Sequence, residues 1–130
     1  MTWTVLFHTE FAREFEMLSD HVQNELLARL KLLEHFGPAL GRPNVDTLEG
    51  SKFANMKELP FRLDGLWRFA FAFDPDRNAV VLVGGNKVGA NQGRFYADLI
   101  RTADRRFAAH IDSLKKEARE GITPREGITQ

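Results

Sequence analysis

The middle of this chain alternates between short apolar segments and residues typical of turns. The three apolar segments are Ala54 to Leu59, Leu66 to Phe73 and Ala79 to Val83. Asp64-Gly65 separates the first pair, and Asp74-Pro75-Asp76 lies within the second separation. Short connections of these residue types end strands and join antiparallel neighbours. The pattern therefore predicts a three-stranded antiparallel meander.

The middle strand of this meander has a regular two-residue period. Every second residue from Trp67 to Phe73 is aromatic, whereas Arg68, Ala70 and Ala72 lie between them. Successive side chains of a strand point to opposite faces, so the aromatic face is predicted to pack against helices. The small residues are predicted to leave the other face concave, with Arg68 projecting into the hollow.

The residues before the meander predict a strand and a helical hairpin. Trp3 to Phe7 is β-branched and aromatic, which favours a short strand. Apolar residues then recur at helical spacing after Thr9, which can cap the first helix. A second helix is predicted from Asp20, as its N-cap, to Gly37-Pro38, where glycine can cap the helix and proline cannot continue it.

The residues after the meander predict one long helix. The helix is predicted to begin at about Thr102, some residues after a polar loop from Val88 to Gly93, and its apolar stripe runs from Ala103 to Leu114. The segment from Pro38 to Phe53 has no periodicity and is expected to be a loop across the edge of the sheet.

These elements predict an α+β fold in the order β-α-α-β-β-β-α, with an N-terminal helical hairpin and a C-terminal helix packed on a small antiparallel sheet. Residues 1–119 are predicted to form a single domain. Residues 120–130 contain a short near-duplication split by Pro124, and their composition predicts a disordered tail.

Composition narrows the possible chemistry. The chain has no Cys, which excludes disulfides, thiolate metal sites and Cys nucleophiles. No apolar run approaches the ~20 residues that cross a bilayer, and the amino terminus lacks the pattern of a signal peptide, so a cytoplasmic protein is expected. The formal net charge is zero, but residues 1–50 carry 4 Lys/Arg and 8 Asp/Glu, whereas residues 51–101 carry 8 and 5. The predicted sheet region is therefore basic, which allows an anion-binding face.

Several segments, in their order and spacing, resemble one known protein family. These are EF…F..L in the first helix, LLARLKLLEHFGPALGRP at the end of the hairpin, and then NMKEL, WRFAFAFDPDR, LVGGNK and RFYADLI..AD. The chain resembles the RelE/ParE superfamily of bacterial toxins, and within it the HigB-like, phage-derived branch. The resemblance covers most of residues 3–114 and implies the RelE-like fold.

The resemblance implies the toxin of a type II toxin–antitoxin system that acts as a ribosome-dependent mRNA endoribonuclease. Such toxins make the RNA 2′-hydroxyl attack the adjacent phosphate without a metal or other cofactor. The implied partners are a cognate helix-turn-helix antitoxin, the ribosome and mRNA, with no membrane. The reaction needs a base, cations for the developing negative charge and an acid for the leaving oxygen.

Four residues match catalytic positions of this family. Arg68 matches the arginine placed against the scissile phosphate, and Lys87 matches the basic residue after the last strand. Tyr96 matches the tyrosine that opens the final helix. Glu58 falls where members have Lys or Glu, and could serve as the base.

Two further residues are implied to bind RNA. Arg94 would contact a phosphate. Lys57 is the neighbouring alternative to Glu58 as the base, and it points to the other face if strand alternation is unbroken. Pro60 and Asn86 depart from the branch, which usually has Arg and Asp there.

Other interpretations stay open at the level of the sequence. Glu58 and Arg68 could form a plain cross-strand ion pair, and Tyr96 could be an ordinary packing residue. His110 borders an apolar stripe, which favours a structural role over that of a catalytic acid. The alternative functions are a ParE-type toxin that binds DNA gyrase and an inactive antitoxin-binding module.

Overall fold

The computed structural model describes residues 2–121, which form one five-stranded sheet between two helical layers. The elements in chain order are β1 (Thr4–Phe7), α1 (Thr9–Glu16), α2 (Asp20–Phe36), a 3₁₀ turn (Gly37–Ala39), β2 (Asp46–Thr47), β3 (Met56–Arg62), β4 (Leu66–Phe73), β5 (Asn78–Asn86) and α3 (Gln92–Glu120). Glu120 ends α3 and Gly121 caps it in the left-handed conformation. The rest of the predicted disordered tail lies outside the described residues.

The sheet has the order β1-β5-β4-β3-β2, so the predicted meander forms its centre. β3, β4 and β5 pair antiparallel, and β1 adds to β5 in parallel. The predicted turn after β3 is present, with Asp64 at a φ of 51° next to Gly65. In the next turn the Asp74 carboxylate accepts hydrogen bonds from the backbone N–H groups of Asp76 and Asn78, both at 2.9 Å.

The two faces of the sheet are covered by different helices. The aromatic face, including Phe69 and Phe71, packs against α1 and α2, as the two-residue period predicts. The opposite face carries Ala70 and Ala72, which are fully buried beneath residues of α3 such as Phe107. The prediction of an open hollow on this face was therefore wrong, because small side chains let a helix approach the sheet closely.

Several element boundaries also differ from the predictions. α3 begins at Gln92, about ten residues before the predicted start, because the Asn91 side chain caps it by accepting a hydrogen bond from the N–H of Arg94 at 2.9 Å. The segment predicted as a loop contains the short strand β2. Ser19, and not Asp20, caps α2, while His8, and not Thr9, caps α1.

Within residues 2–121, no helix combines the length and apolar character needed to span a membrane.

Candidate active site

Strand register brings Glu58 and Arg68 to the same face of the sheet. Glu58 of β3 lies opposite Ala70 of β4, whereas Arg68 lies opposite Pro60, so the two charged side chains are diagonal neighbours. Diagonal neighbours on one face remain within reach of long side chains. α3 crosses this face and places Tyr96, in its second turn, above both.

The Tyr96 hydroxyl joins the two charged groups. It donates a hydrogen bond to Oε1 of Glu58 at 3.0 Å and accepts one from Nε of Arg68 at 3.2 Å. Arg68 Nε is also 3.5 Å from Glu58 Oε1, and its Nη1 donates to the carbonyl of Trp67 at 2.8 Å. The side chains of Arg68 and Glu58 are 18% and 15% exposed, so the cluster is held in place but remains open to a ligand.

Partial burial sets the protonation behaviour of this cluster. Removal from water raises the pKa of Glu58 above its ordinary value, although the Tyr96 hydrogen bond and the charges of Arg68 and Lys87 oppose the rise. Burial and the neighbouring Glu58 carboxylate raise the pKa of Tyr96. Tyr96 therefore stays protonated at neutral pH and acts as a hydrogen-bond donor, whereas Glu58 becomes a stronger base than an exposed carboxylate.

Lys87 lies at the rim of the same cluster. Its Nζ is 5.7 Å from the centroid of the Tyr96 ring, within the distance of a cation–π contact. Asn86 holds the backbone around this lysine in place. Its Oδ1 accepts hydrogen bonds from the N–H of Leu66, on the neighbouring strand β4, at 3.0 Å and from the N–H of Val88, the residue after Lys87, at 3.1 Å. Lys87 N–H in turn donates to the Leu66 carbonyl at 2.9 Å. This role of Asn86 escaped the sequence-based prediction, although a polar residue between a strand and a basic residue was a visible signal.

The other two predicted residues lie apart from the cluster. Lys57 points to the opposite face, as alternation predicts, and its Nζ is 3.4 Å from Thr47 Oγ1 on β2. Arg94 is exposed in the first turn of α3. Two helical positions correspond to a rotation of about 200°, so Arg94 and Tyr96 project in nearly opposite directions.

Pro60 leaves the strand ladder intact despite lacking an N–H group. The Lys87 N–H donates to the Leu66 carbonyl, so the backbone groups of Leu66 face β5. Alternation along β4 then directs the backbone groups of Phe69 to Leu59 on β3, and the nitrogen of Pro60 points away from β4. β2 pairs only with Lys57 and Glu58, so Pro60 lies on the part of the β3 edge that no strand covers.

The cluster combines the groups that phosphodiester cleavage by an internal hydroxyl requires. A partly desolvated carboxylate can accept a proton, and two cationic side chains next to it can stabilise negative charge on a phosphate. Among residues 2–121, no group of three or more His, Asp or Glu side chains is arranged to hold a metal ion.

Comparisons with known proteins place the chain in a family. The model of the family described as "Phage derived protein Gp49-like (DUF891)" matches residues 13–108. The chain belongs to this family. Two similar proteins come from Mycobacterium tuberculosis (strain ATCC 25618 / H37Rv). One, named "Putative toxin HigB2", is 46% identical over 88 residues, which is 66% of this chain and 43% of that protein. The other, named "Putative toxin HigB3", is 41% identical over 102 residues, covering 78% of this chain and 88% of that protein.

The predicted resemblance to the HigB-like branch is thus confirmed for this Gp49-like protein, which spans less than half the length of HigB2 and most of HigB3. A solved structure of a mutant of the E. coli toxin RelE in the free state matches with a TM-score of 0.57 and 16% identity. The match covers 78% of this chain and 97% of that one. It confirms the predicted RelE-like α+β fold.

This Gp49-like protein also contains two polar networks, one buried and one at the surface, that the sequence did not reveal. His110 Nε2 lies 2.7 Å from Asp74 Oδ2, and both side chains are almost fully buried. Arg106 forms two hydrogen bonds with Glu14, at 2.8 and 2.5 Å, and one with the Leu82 carbonyl at 2.8 Å. Both networks tie α3 to the rest of the fold, so His110 has the structural role that its position favoured.

Proposed function

We propose that this protein is the toxin of a type II toxin–antitoxin system and cleaves mRNA in the ribosome. The observation that carries the proposal is the hydrogen-bonded cluster of Glu58, Arg68 and Tyr96 on the RelE-like fold. The names of two similar M. tuberculosis proteins, both toxins, support the proposal independently. A cognate antitoxin is the partner that such a system requires.

In the proposed reaction the ribose 2′-oxygen attacks the adjacent phosphorus while Glu58 accepts its proton. The bond from phosphorus to the 5′-oxygen of the next nucleotide breaks, which leaves a 2′,3′-cyclic phosphate and a free 5′-hydroxyl. Glu58 suits the role of base because its pKa is raised by partial burial.

Arg68 stabilises the charge that develops on the phosphoryl oxygens. Its Nη1 bond to the Trp67 carbonyl and its Nε bond to Tyr96 fix the guanidinium in advance, so little reorganisation is needed during the reaction. Tyr96 orients both Glu58 and Arg68. Lys87 lies at the rim and donates the proton that the leaving 5′-oxygen takes up, after which water reprotonates the amine.

The test is induction of the chain in a bacterium that carries it on a plasmid, with primer extension on one abundant message. We expect new 5′ ends on translated message only, and a loss of at least about 10²-fold for Arg68→Ala, the typical effect of removing one charge-stabilising donor. Arg13→Ala is the matched control, because Arg13 is exposed on α1 in the other helical layer.

Undiminished cleavage by Arg68→Ala would refute the assigned site. Growth arrest with intact message would favour the gyrase-binding alternative, and unimpeded growth would favour the inactive antitoxin-binding module.

A further inference from the structure

A small cavity of about 180 Å³ lies between the end of β5 and the first turns of α3. Its lining offers glycine backbone, an aromatic ring, a carboxylate and a hydroxyl, contributed by Gly84, Gly85, Phe95, Asp98 and Thr102. The volume is below the ~300–1,000 Å³ of pockets for drug-sized ligands. The cavity is therefore matched to a single small ring system.

Gly85 keeps this cavity open on the face of the sheet that α3 covers. A Cβ atom at Gly85 would lie 3.0 Å from Cε1 of Phe95, so any larger residue would crowd the ring that forms one wall. Absence of a side chain also lets a flat ligand approach the strand backbone directly.

The backbone polar groups of Gly84, which also lines the cavity, lie at the edge of β5. The Lys87 N–H donates to the Leu66 carbonyl on β4. Alternation along β5 therefore directs the backbone groups of Gly85 to β4 and the N–H and C=O of Gly84 to the opposite side. On that side β1 ends at Phe7, opposite Val81. The Gly84 groups thus lie beyond the end of β1, as one donor and one acceptor side by side.

Asp98 and Thr102 add polar groups from α3. Asp98 is ion-paired with Arg101 through Oδ1, and its Oδ2 has no partner among residues 2–121. A carboxylate oxygen accepts hydrogen bonds only, so it favours a ligand edge that carries N–H groups.

The cavity adjoins the candidate active site. Gly85 lies directly opposite Arg68 in the sheet. The Phe95 ring contacts the Tyr96 ring edge to face, with centroids 5.4 Å apart at 88°. A phosphate bound by Arg68 and a base stacked against Phe95 would therefore be separated by little more than the width of one ring. The phosphate and the base of neighbouring nucleotides have a similar separation.

We infer that this cavity, between Gly84-Gly85 and the Phe95, Asp98 and Thr102 side chains, binds one nucleobase of an RNA substrate and selects a base with an exocyclic amino group. The inference rests on the proposed function. Phe95 supplies the aromatic contact for the ring, and Asp98 accepts the amino N–H, as acidic residues do from cytosine N4. Uracil is disfavoured because carbonyl oxygens flank its only N–H and would face the carboxylate.

The test is NMR titration of the ¹⁵N-labelled protein with the four nucleoside monophosphates, following the amides of Gly84 and Gly85. We expect CMP, AMP and GMP to shift both amides, and CMP to bind at least about fivefold more tightly than UMP, the lower end of what one base-reading contact contributes. Asp98→Asn should abolish the difference between CMP and UMP. Arg101→Gln, which removes the ion pair and keeps the carboxylate, should preserve it.

Inorganic phosphate is the reference probe and should shift amides near Arg68 and Lys87, including that of Gly85, but not the amide of Gly84. Three results would overturn the inference: nucleotides shift only the amides that phosphate shifts, nucleotides shift no amides, or CMP and UMP bind with equal affinity. The titration does not depend on cleavage. Base-selective shifts in a protein that does not cleave mRNA would therefore support the base-binding cavity and contradict the proposed nuclease activity. Cleavage without such shifts would support the nuclease activity and contradict the base-binding cavity.

Discussion

Tyr96→Phe isolates the one hydroxyl group that connects the base and the cation of the candidate active site. The substitution keeps the ring, and with it the contacts with Phe95 and Lys87. It removes the hydrogen bond that the hydroxyl donates to Glu58 and the one that it accepts from Arg68. Any change in activity therefore reports on how the hydroxyl holds the two charged groups.

The size of the effect follows from the remaining contacts. Arg68 keeps its bond to the Trp67 carbonyl and its proximity to Glu58, so its own lost bond is largely replaced. The net loss is then about one hydrogen bond to a charged group, the bond to Glu58. Such a bond contributes about 1.5–3 kcal/mol, which corresponds to a fall in cleavage rate of roughly 10- to 150-fold. Arg68→Ala should be more damaging, because it also removes the charge.

The pH dependence of the cleavage rate is the sharper test. The Tyr96 hydrogen bond lowers the pKa of Glu58 against the effect of burial, so its removal should raise that pKa further. The ascending limb of the cleavage rate against pH should then move to higher pH in Tyr96→Phe. A wild-type rate with an unmoved ascending limb would refute the proposed role of the hydroxyl.

A second measurement does not require activity. Tyr96 is the only tyrosine in the chain, so its ionisation can be followed by ultraviolet absorbance. The neighbouring Glu58 carboxylate raises the pKa of Tyr96, and Glu58→Gln should therefore lower it. An identical phenol titration in both proteins would show that the two groups do not interact in solution.

Two further predictions concern stability. Gly84→Ala should destabilise the fold by about 1–3 kcal/mol in urea unfolding, because the new Cβ would lie 2.2 Å from the buried Phe69 ring. Gly85→Ala should cost less, since the half-buried Phe95 ring can move; equal costs would contradict the packing. Burial opposes ionisation of Asp74, but hydrogen bonds from His110 and Asn78 hold its pKa below the ordinary value of 3.8. The resulting stabilisation is present above 3.8 and is lost as the pH falls through the lower pKa of the folded protein. Asp74→Asn should therefore have a smaller free energy of unfolding at neutral pH, and that free energy should fall less steeply as the pH is lowered. An equally steep fall of the unfolding free energy with decreasing pH in both proteins would refute this.

The sequence predicted best those elements whose own pattern determines them. β4 was predicted with its observed ends because every second residue from Trp67 to Phe73 is aromatic and turn residues flank the segment from Leu66 to Phe73. β2 was missed because a two-residue strand has no period, and only its pairing with Lys57 and Glu58 defines it. The start of α3 was missed because a single capping side chain, that of Asn91, and not an apolar stripe, sets it.

The residues of the candidate site were proposed from the family resemblance, which did not predict their geometry. Alternation along β3 correctly separated Glu58 from Lys57. The earlier start of α3 turned Arg94 away from Tyr96, which no strand pattern could foretell. Asp74 and His110 are 36 residues apart in sequence, so their pairing depends on how α3 lies across the sheet. Long-range contacts of this kind are fixed by packing and have no local signal.

The position of Pro60 on the uncovered edge of β3 affects how readily this edge pairs with another strand. An open strand edge beside a ligand-binding face can pair with the edge of another molecule and begin aggregation. Pro60 lacks the N–H group that such pairing would need and disrupts the row of donors on this edge. A residue that departs from the family pattern therefore makes this edge a poor template for pairing with another strand.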